Sequence, residues 1–132
     1  MNFKKSFLAL VISFLLSNIL TTVWYMLSDD ANFVSFRREE INYFGLLTNH
    51  FVYALIFVYL FSFHYEKNRK KIRAFYFGLL MAALMFIPSG LVVRSIWTVE
   101  FNSIFVLNSI AHLIIGGIIG FALSIIYDFK NK

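Results

Sequence analysis

Six polar side chains that could bind a ligand lie within or at the ends of apolar stretches of this sequence. They are Asn18, Asn49, His50, Arg94, Asn108 and His112. An imidazole can take up a proton near neutral pH or contact a ligand, and two histidines on separate helices are what bis-histidine haem ligation requires. Amide and guanidinium groups hold a ligand by hydrogen bonds. If the chain brings these residues together, they indicate a small binding pocket.

The same six residues also have an ordinary structural explanation. In lipid, Asn and His side chains hydrogen-bond between helices as packing contacts, and an arginine at a helix end extends toward the membrane surface. The sequence leaves both interpretations open. It contains no Ser–His–carboxylate set and no paired carboxylates at membrane depth, which are the groups that acid–base or nucleophilic catalysis uses. We therefore expect a protein that is not an enzyme, with no cofactor and no metal site.

The composition indicates that lipid is the solvent of this chain. Of its 132 residues, 60% are hydrophobic and 14% are charged, against roughly half and a quarter in a soluble domain. A small soluble domain buries only part of its surface and could not cover so much apolar area. The absence of cysteine excludes disulfides, thiolate metal sites and thiol redox chemistry.

Four apolar stretches predict the elements that must position the polar residues, at about 6–28, 44–64, 74–94 and 101–127. Each has about the 20 residues needed to cross a bilayer. In lipid, helices satisfy the backbone hydrogen bonds within one segment, and the alternating pattern of membrane-barrel strands is absent. The first stretch is too long for a signal peptide and lacks a convincing cleavage site. We predict an all-α membrane bundle of four transmembrane helices that forms one domain over 1–132.

The segment between the first two stretches predicts a short amphipathic helix on the outer membrane surface. Its apolar residues recur every three or four positions. They include Phe33, Phe36, Ile41 and Phe44, with Arg37 on another face.

The basic residues predict the orientation in the membrane. Nine of the 12 lie on one side of the predicted helices: Lys4, Lys5, Lys67, Arg69, Lys70, Lys71, Arg73, Lys130 and Lys132. Cytoplasmic loops are enriched in Lys and Arg, so both termini and the 66–73 loop are expected in the cytoplasm. That loop is short and has no aromatic platform for nucleic acid, so lipid headgroups are its expected partners. The six polar residues then share the outer half of the bundle.

Small and polar residues at four-residue spacing predict how the helices pack, because such stripes let helices approach closely in lipid. The stripes are Ala9, Ser13, Ser17 and Thr21 in the first helix, Gly78 and Ala82 in the third, and Asn108, His112, Gly116, Gly120 and Ser124 in the fourth. We expect them to bring the first, third and fourth helices together. Pro88 is expected to kink the third helix. The stripes do not decide between packing within one chain and packing in a homo-oligomer or a larger membrane complex.

Three segments resemble a group of small bacterial inner-membrane proteins that each consist of four helices and form a domain of unknown function. They are Trp24-Tyr25, Phe77-Gly78-Leu79-Leu80-Met81, and the stretch from His112 to Gly120 before Tyr127. The resemblance implies a multi-pass protein of the bacterial cytoplasmic membrane and implies no activity. Two hypotheses follow from the sequence: an accessory component that associates through its helix faces, or a transporter, channel or ligand-binding protein with an outward-facing His/Asn/Arg pocket.

Overall fold

Four long helices make up the part of the chain that the structure, a computed structural model, describes. That part is residues 3–28, 42–67, 71–96 and 103–128, apart from the side chains at positions 66, 67, 93, 94, 96 and 104. The helices are α1 (Phe3–Leu27), α2 (Tyr43–Lys67), α3 (Lys71–Ile96) and α4 (Ser103–Asp128). Each is long and apolar enough to cross a membrane. The predicted all-α bundle of four transmembrane helices is therefore confirmed. Residues 29–41, which hold most of the predicted amphipathic segment, lie outside the described residues.

α2 and α3 extend beyond the predicted stretches at both ends, α1 begins three residues earlier than predicted, and α4 begins two residues later. Asn42 precedes α2, and its Oδ1 accepts a hydrogen bond of 2.9 Å from the Gly45 N–H, which satisfies a free donor of the first turn. α3 continues through Pro88 to Ile96. Proline removes one backbone donor, and the hydroxyl of the next residue, Ser89, donates to the Met85 carbonyl at 2.7 Å.

α3 and α4 form the closest helix pair, because glycines face each other across it. A Cβ atom added to Gly116 would lie 2.5 Å from the Gly78 carbonyl oxygen and 2.6 Å from Ala82 Cβ. One turn further along, a Cβ on Gly120 would meet the Ala74 carbonyl oxygen. The glycine pair of α4 therefore packs against α3 of its own chain, backbone against backbone.

α1 packs against α2 and α4 through its own stripe of small residues. Ala9, Ser13, Ser17 and Thr21 are the buried residues of this helix. The first, third and fourth helices meet through α4, which packs against both α1 and α3, whereas the described parts of α1 and α3 do not contact each other directly. Among the described residues, no Cα atom of α1 lies within 8 Å of a Cα atom of α3. The glycines of the α4 stripe meet α3, and Asn108 of the same stripe accepts a hydrogen bond from Trp24 of α1.

α2 approaches α3 through large aromatic rings instead of small residues. The Phe77 ring of α3 lies between rings of α2, with centroid distances of 5.8 Å to Phe57, 5.7 Å to Phe61 and 4.7 Å to His64. Phe57 and Phe61 are fully buried. Side chains of this size keep the backbones of α2 and α3 apart, and the rings fill the space between the two helices.

The bundle has two halves along its length. The terminal half contains the start of α1 and the end of α4, where the Lys5 ammonium donates a hydrogen bond to the Tyr127 carbonyl oxygen at 3.3 Å. The cavity half contains the end of α1, the start of α2, the end of α3 and the start of α4. The aromatic cluster around Phe61 and Tyr127 belongs to the terminal half.

Ser13 provides a test of the α1 packing. Its hydroxyl is fully buried and has no hydrogen-bond partner within the described ranges. An unpaired buried hydroxyl costs about 1–3 kcal/mol, so we expect Ser13→Ala to raise the melting temperature in detergent. Ser124→Ala is the matched control, because Ser124 is equally buried but its hydroxyl donates to the Phe121 carbonyl at 2.6 Å. It should lower the melting temperature, and equal shifts for the two variants would contradict this account.

Candidate ligand-binding cavity

A cavity of about 360 Å³ lies in the cavity half of the bundle, among all four helices. Its lining residues are Ser17 and Thr21 of α1, Asn49, His50 and Tyr53 of α2, Met85, Phe86 and Ser89 of α3, and His112 and Ile115 of α4. The volume is at the lower end of the roughly 300–1,000 Å³ typical of small-molecule pockets. The lining combines polar groups with apolar walls, which is the usual composition of such pockets.

His50 and Tyr53 are the buried side chains of α2 that line this cavity without a hydrogen-bond partner among the described residues. His50 is 4% exposed and Tyr53 is 5% exposed. They are three positions apart, so they lie on one face of the helix. Buried polar groups are almost always hydrogen-bonded. Because the described residues supply no partner for these two side chains, a molecule inside the cavity, water or ligand, pairs with their polar atoms.

His112 lines the cavity, and one of its two ring nitrogens is already hydrogen-bonded to the backbone. Its Nδ1 lies 2.8 Å from the backbone carbonyl oxygen of Asn108, one turn earlier in α4. A carbonyl only accepts, so Nδ1 carries the proton, and in the neutral ring Nε2 is an acceptor. The ring is 2% exposed and lies against Phe86 with a centroid distance of 3.9 Å. This packing fixes the imidazole orientation.

Asn108 has the role of a packing contact between helices. Its Oδ1 accepts a hydrogen bond of 2.9 Å from Trp24 Nε1, which ties α1 to α4. The side chain of Tyr25 also hydrogen-bonds Asn108. This arrangement satisfies the amide within the protein. Asn108 therefore serves as a hydrogen-bonded packing contact between helices. His50 makes no hydrogen bond of this kind among the described residues.

Of the remaining predicted pocket residues, Asn49 lines the cavity beside His50, and Asn18 does not line it. The Asn18 amide instead donates to the Phe14 carbonyl of its own helix at 2.7 Å. The Arg94 side chain lies outside the described residues. Convergence in one half of the bundle is thus observed for Asn49, His50 and His112, with Asn108 immediately beside them.

A second, smaller cavity of about 180 Å³ adjoins the first between α3 and α4. The two cavities share Phe86, Ser89 and His112 as lining residues. The second one adds Gly90, Phe105, Asn108 and Ser109. The Phe86 and His112 rings therefore stand between the two spaces.

Tyr53 was not predicted as a site residue, because only Asn, His and Arg side chains were considered as polar groups at membrane depth. The available signal was its spacing, three positions from His50 and four from Asn49, which places all three on one helix face. Ser17 and Thr21 were predicted as packing residues, and they also line the cavity. Within the described ranges, no three His, Asp or Glu side chains are grouped to hold a metal ion.

Comparisons of this chain with protein-family models, with curated proteins and with solved structures gave no match. The bacterial four-helix family resemblance therefore stays a prediction. What the structure itself defines is a small multi-pass membrane protein with an intramembrane cavity.

Proposed function

We propose that this protein binds a small molecule within the membrane, in the cavity among its four helices. The observation that carries the proposal is the pair His50 and Tyr53, each at least nine-tenths buried, lining the cavity and without a hydrogen-bond partner among the described residues. A polar group left without any partner costs about 1–3 kcal/mol, and water in the cavity offsets part of that cost. A ligand that hydrogen-bonds both side chains would offset the rest and release the water.

The packing arrangement supports this function over association through the small-residue stripes. Gly116 and Gly120 contact α3 of the same chain, and Ser13 and Ser17 are buried against neighbouring helices. These residues are therefore occupied within one molecule, and none of them is left as evidence for a second subunit. A homo-oligomer or larger complex would have to use other faces of the helices.

We further propose that the protein lies in the bacterial cytoplasmic membrane, with both termini in the cytoplasm. The support is the excess of Lys and Arg at one end of the bundle. Lys4, Lys5, Lys71 and Arg73 lie at the terminal half. In this orientation the cavity half faces the outside, and a ligand would reach the site from the outer leaflet or the external medium.

A cavity-filling variant tests the proposal. Met85 lines the cavity, and the adjacent residue Leu84 is 61% exposed on the outside of the bundle. Met85→Trp should fill the space and exclude the ligand, whereas Leu84→Trp adds the same side chain toward lipid. We expect a small molecule to be retained by the wild type and by Leu84→Trp but not by Met85→Trp. The measurement is mass spectrometry of molecules extracted from polymer-bounded native membrane discs.

Two results would show the proposal to be wrong. One is the same set of retained molecules in all three preparations. The other is the absence of a retained molecule from the wild type. Melting curves of both tryptophan variants are recorded alongside, so that loss of ligand is separated from loss of fold.

A further inference from the structure

We infer that the ligand of this cavity is an uncharged aromatic hydroxyl compound whose hydroxyl group donates to His112 and accepts from Tyr53. The inference rests on the proposed binding function and specifies the ligand class. It combines the charge of the lining, the direction of each free hydrogen-bonding group, and the shape of the walls.

The lining favours an uncharged ligand. None of the described residues that line the cavity is Asp, Glu, Lys or Arg. A charge at membrane depth is costly unless an opposite charge or a hydrated path compensates it. A ligand that carries only hydrogen-bonding groups avoids this cost.

The free polar atoms of the lining define which groups the ligand must offer. His112 donates through Nδ1 to the Asn108 carbonyl, so its Nε2 in the neutral ring accepts. The ligand therefore needs a donor. The Tyr53 hydroxyl and one ring nitrogen of His50 can donate, so the ligand also needs an acceptor. A single hydroxyl group supplies both, because it donates one hydrogen bond and accepts others.

The walls favour a ring. Tyr53 and Phe86 lie with centroids 6.4 Å apart, and Phe86 lies 3.9 Å from the His112 ring. Three aromatic rings thus line the cavity, and aromatic faces and edges pack favourably on another ring. The volume of about 360 Å³ suits one small ring system and not an entire lipid.

Phenols provide the probes, because methylation removes the donor and keeps the ring. We propose thermal-shift titrations of the full-length protein in lipid nanodiscs with 4-nonylphenol and with its methyl ether, 4-nonylanisole. Both partition into lipid, so the ether controls for effects on the bilayer. Unsubstituted phenol forms a further arm: binding of both phenols indicates a ligand from water or lipid, and binding of the nonyl compound alone indicates a lipid-dissolved ligand.

The expected result is a concentration-dependent rise in melting temperature with 4-nonylphenol and a Kd at least about tenfold weaker for the ether, since the ether leaves His112 without a donor. Tyr53→Phe keeps the ring and removes one hydroxyl, so it should weaken phenol binding by about tenfold. His112→Phe should abolish the preference for phenol over ether. Should His112→Phe fail to fold, Tyr53→Phe alone decides the role of the lining.

Three outcomes would overturn the inference. Equal affinity for phenol and ether would refute the donor to His112. Unchanged phenol affinity in Tyr53→Phe would refute the second contact, and no thermal shift with any of the three compounds would refute the ligand class. If phenol and ether bind equally and Met85→Trp abolishes both, the ligand class is wrong while the proposed binding function stands.

Discussion

Gly116→Leu will separate α3 from α4 and lower the melting temperature of the protein by about 10 °C or more. The basis is the backbone contact at this position, where even a Cβ atom would lie 2.5 Å from the Gly78 carbonyl oxygen. Overpacking a close interface costs about 1–3 kcal/mol and sometimes more, and each kcal/mol shifts the melting temperature of a chain of this size by several degrees. Leucine adds four carbons where one already clashes, so the upper part of that range applies.

The adjacent glycine gives a matched control for this prediction. A Cβ on Gly117 would also come close to a neighbour, but the neighbour is the ring of Phe75 at 2.5 Å, which can move. Alanine moreover gains about 1 kcal/mol of helix propensity over glycine. We expect Gly117→Ala to be nearly neutral and Gly116→Ala to be destabilising, measured by thermal unfolding in detergent. Equal melting temperatures for the two alanine variants would mean that the glycines do not form the interface.

His50→Leu will raise the stability of the ligand-free protein by about 1 kcal/mol, or a few degrees in melting temperature, and weaken ligand binding. His50 is 4% exposed and has no hydrogen-bond partner among the described residues. Leucine fills a similar volume without a polar atom to satisfy. Water that enters the cavity recovers only part of the cost, because holding it there loses entropy.

His112→Leu should have the opposite effect on stability. It removes the hydrogen bond of 2.8 Å to the Asn108 carbonyl and the ring contact with Phe86. We expect a lower melting temperature for this variant, although both histidines line the same cavity. Thermal unfolding of purified, ligand-stripped protein measures both. A fall in stability for His50→Leu would indicate a packing contact between helices at His50 and would argue against the binding site.

The four helices could be predicted from the sequence because the membrane imposes a length and a composition on each of them. The half of the bundle that contains the site could also be predicted, since helix direction fixes the depth of His50 and His112. The depth of a residue follows from counting along one helix at a fixed rise. It needs no knowledge of neighbouring helices.

Which polar groups are satisfied could not be predicted, because that depends on contacts between helices. The sequence predicted both Asn108 and His50 as pocket residues. In the structure, Asn108 accepts a hydrogen bond from Trp24, whereas His50 lines the cavity. The helix that each part of the α4 stripe contacts was likewise hidden, since a four-residue spacing gives a helix face but not its neighbour. Tyr53 was missed because its neighbours, and not its residue type, make it part of the site.

The unequal spacing of the helices divides the bundle into a stiff side and a compliant side. On the stiff side, the backbones of α3 and α4 are in contact around the glycines that face each other, so a closer approach or a sliding of the two helices brings backbone atoms into collision. On the compliant side, α2 meets α3 through the rings of Phe57, Phe61 and Phe77, and rings can rotate and slide while staying in contact. Adaptation of the cavity to its occupant should therefore be carried by α2, the helix that bears His50 and Tyr53. The α3–α4 pair then serves as the fixed frame against which that movement occurs.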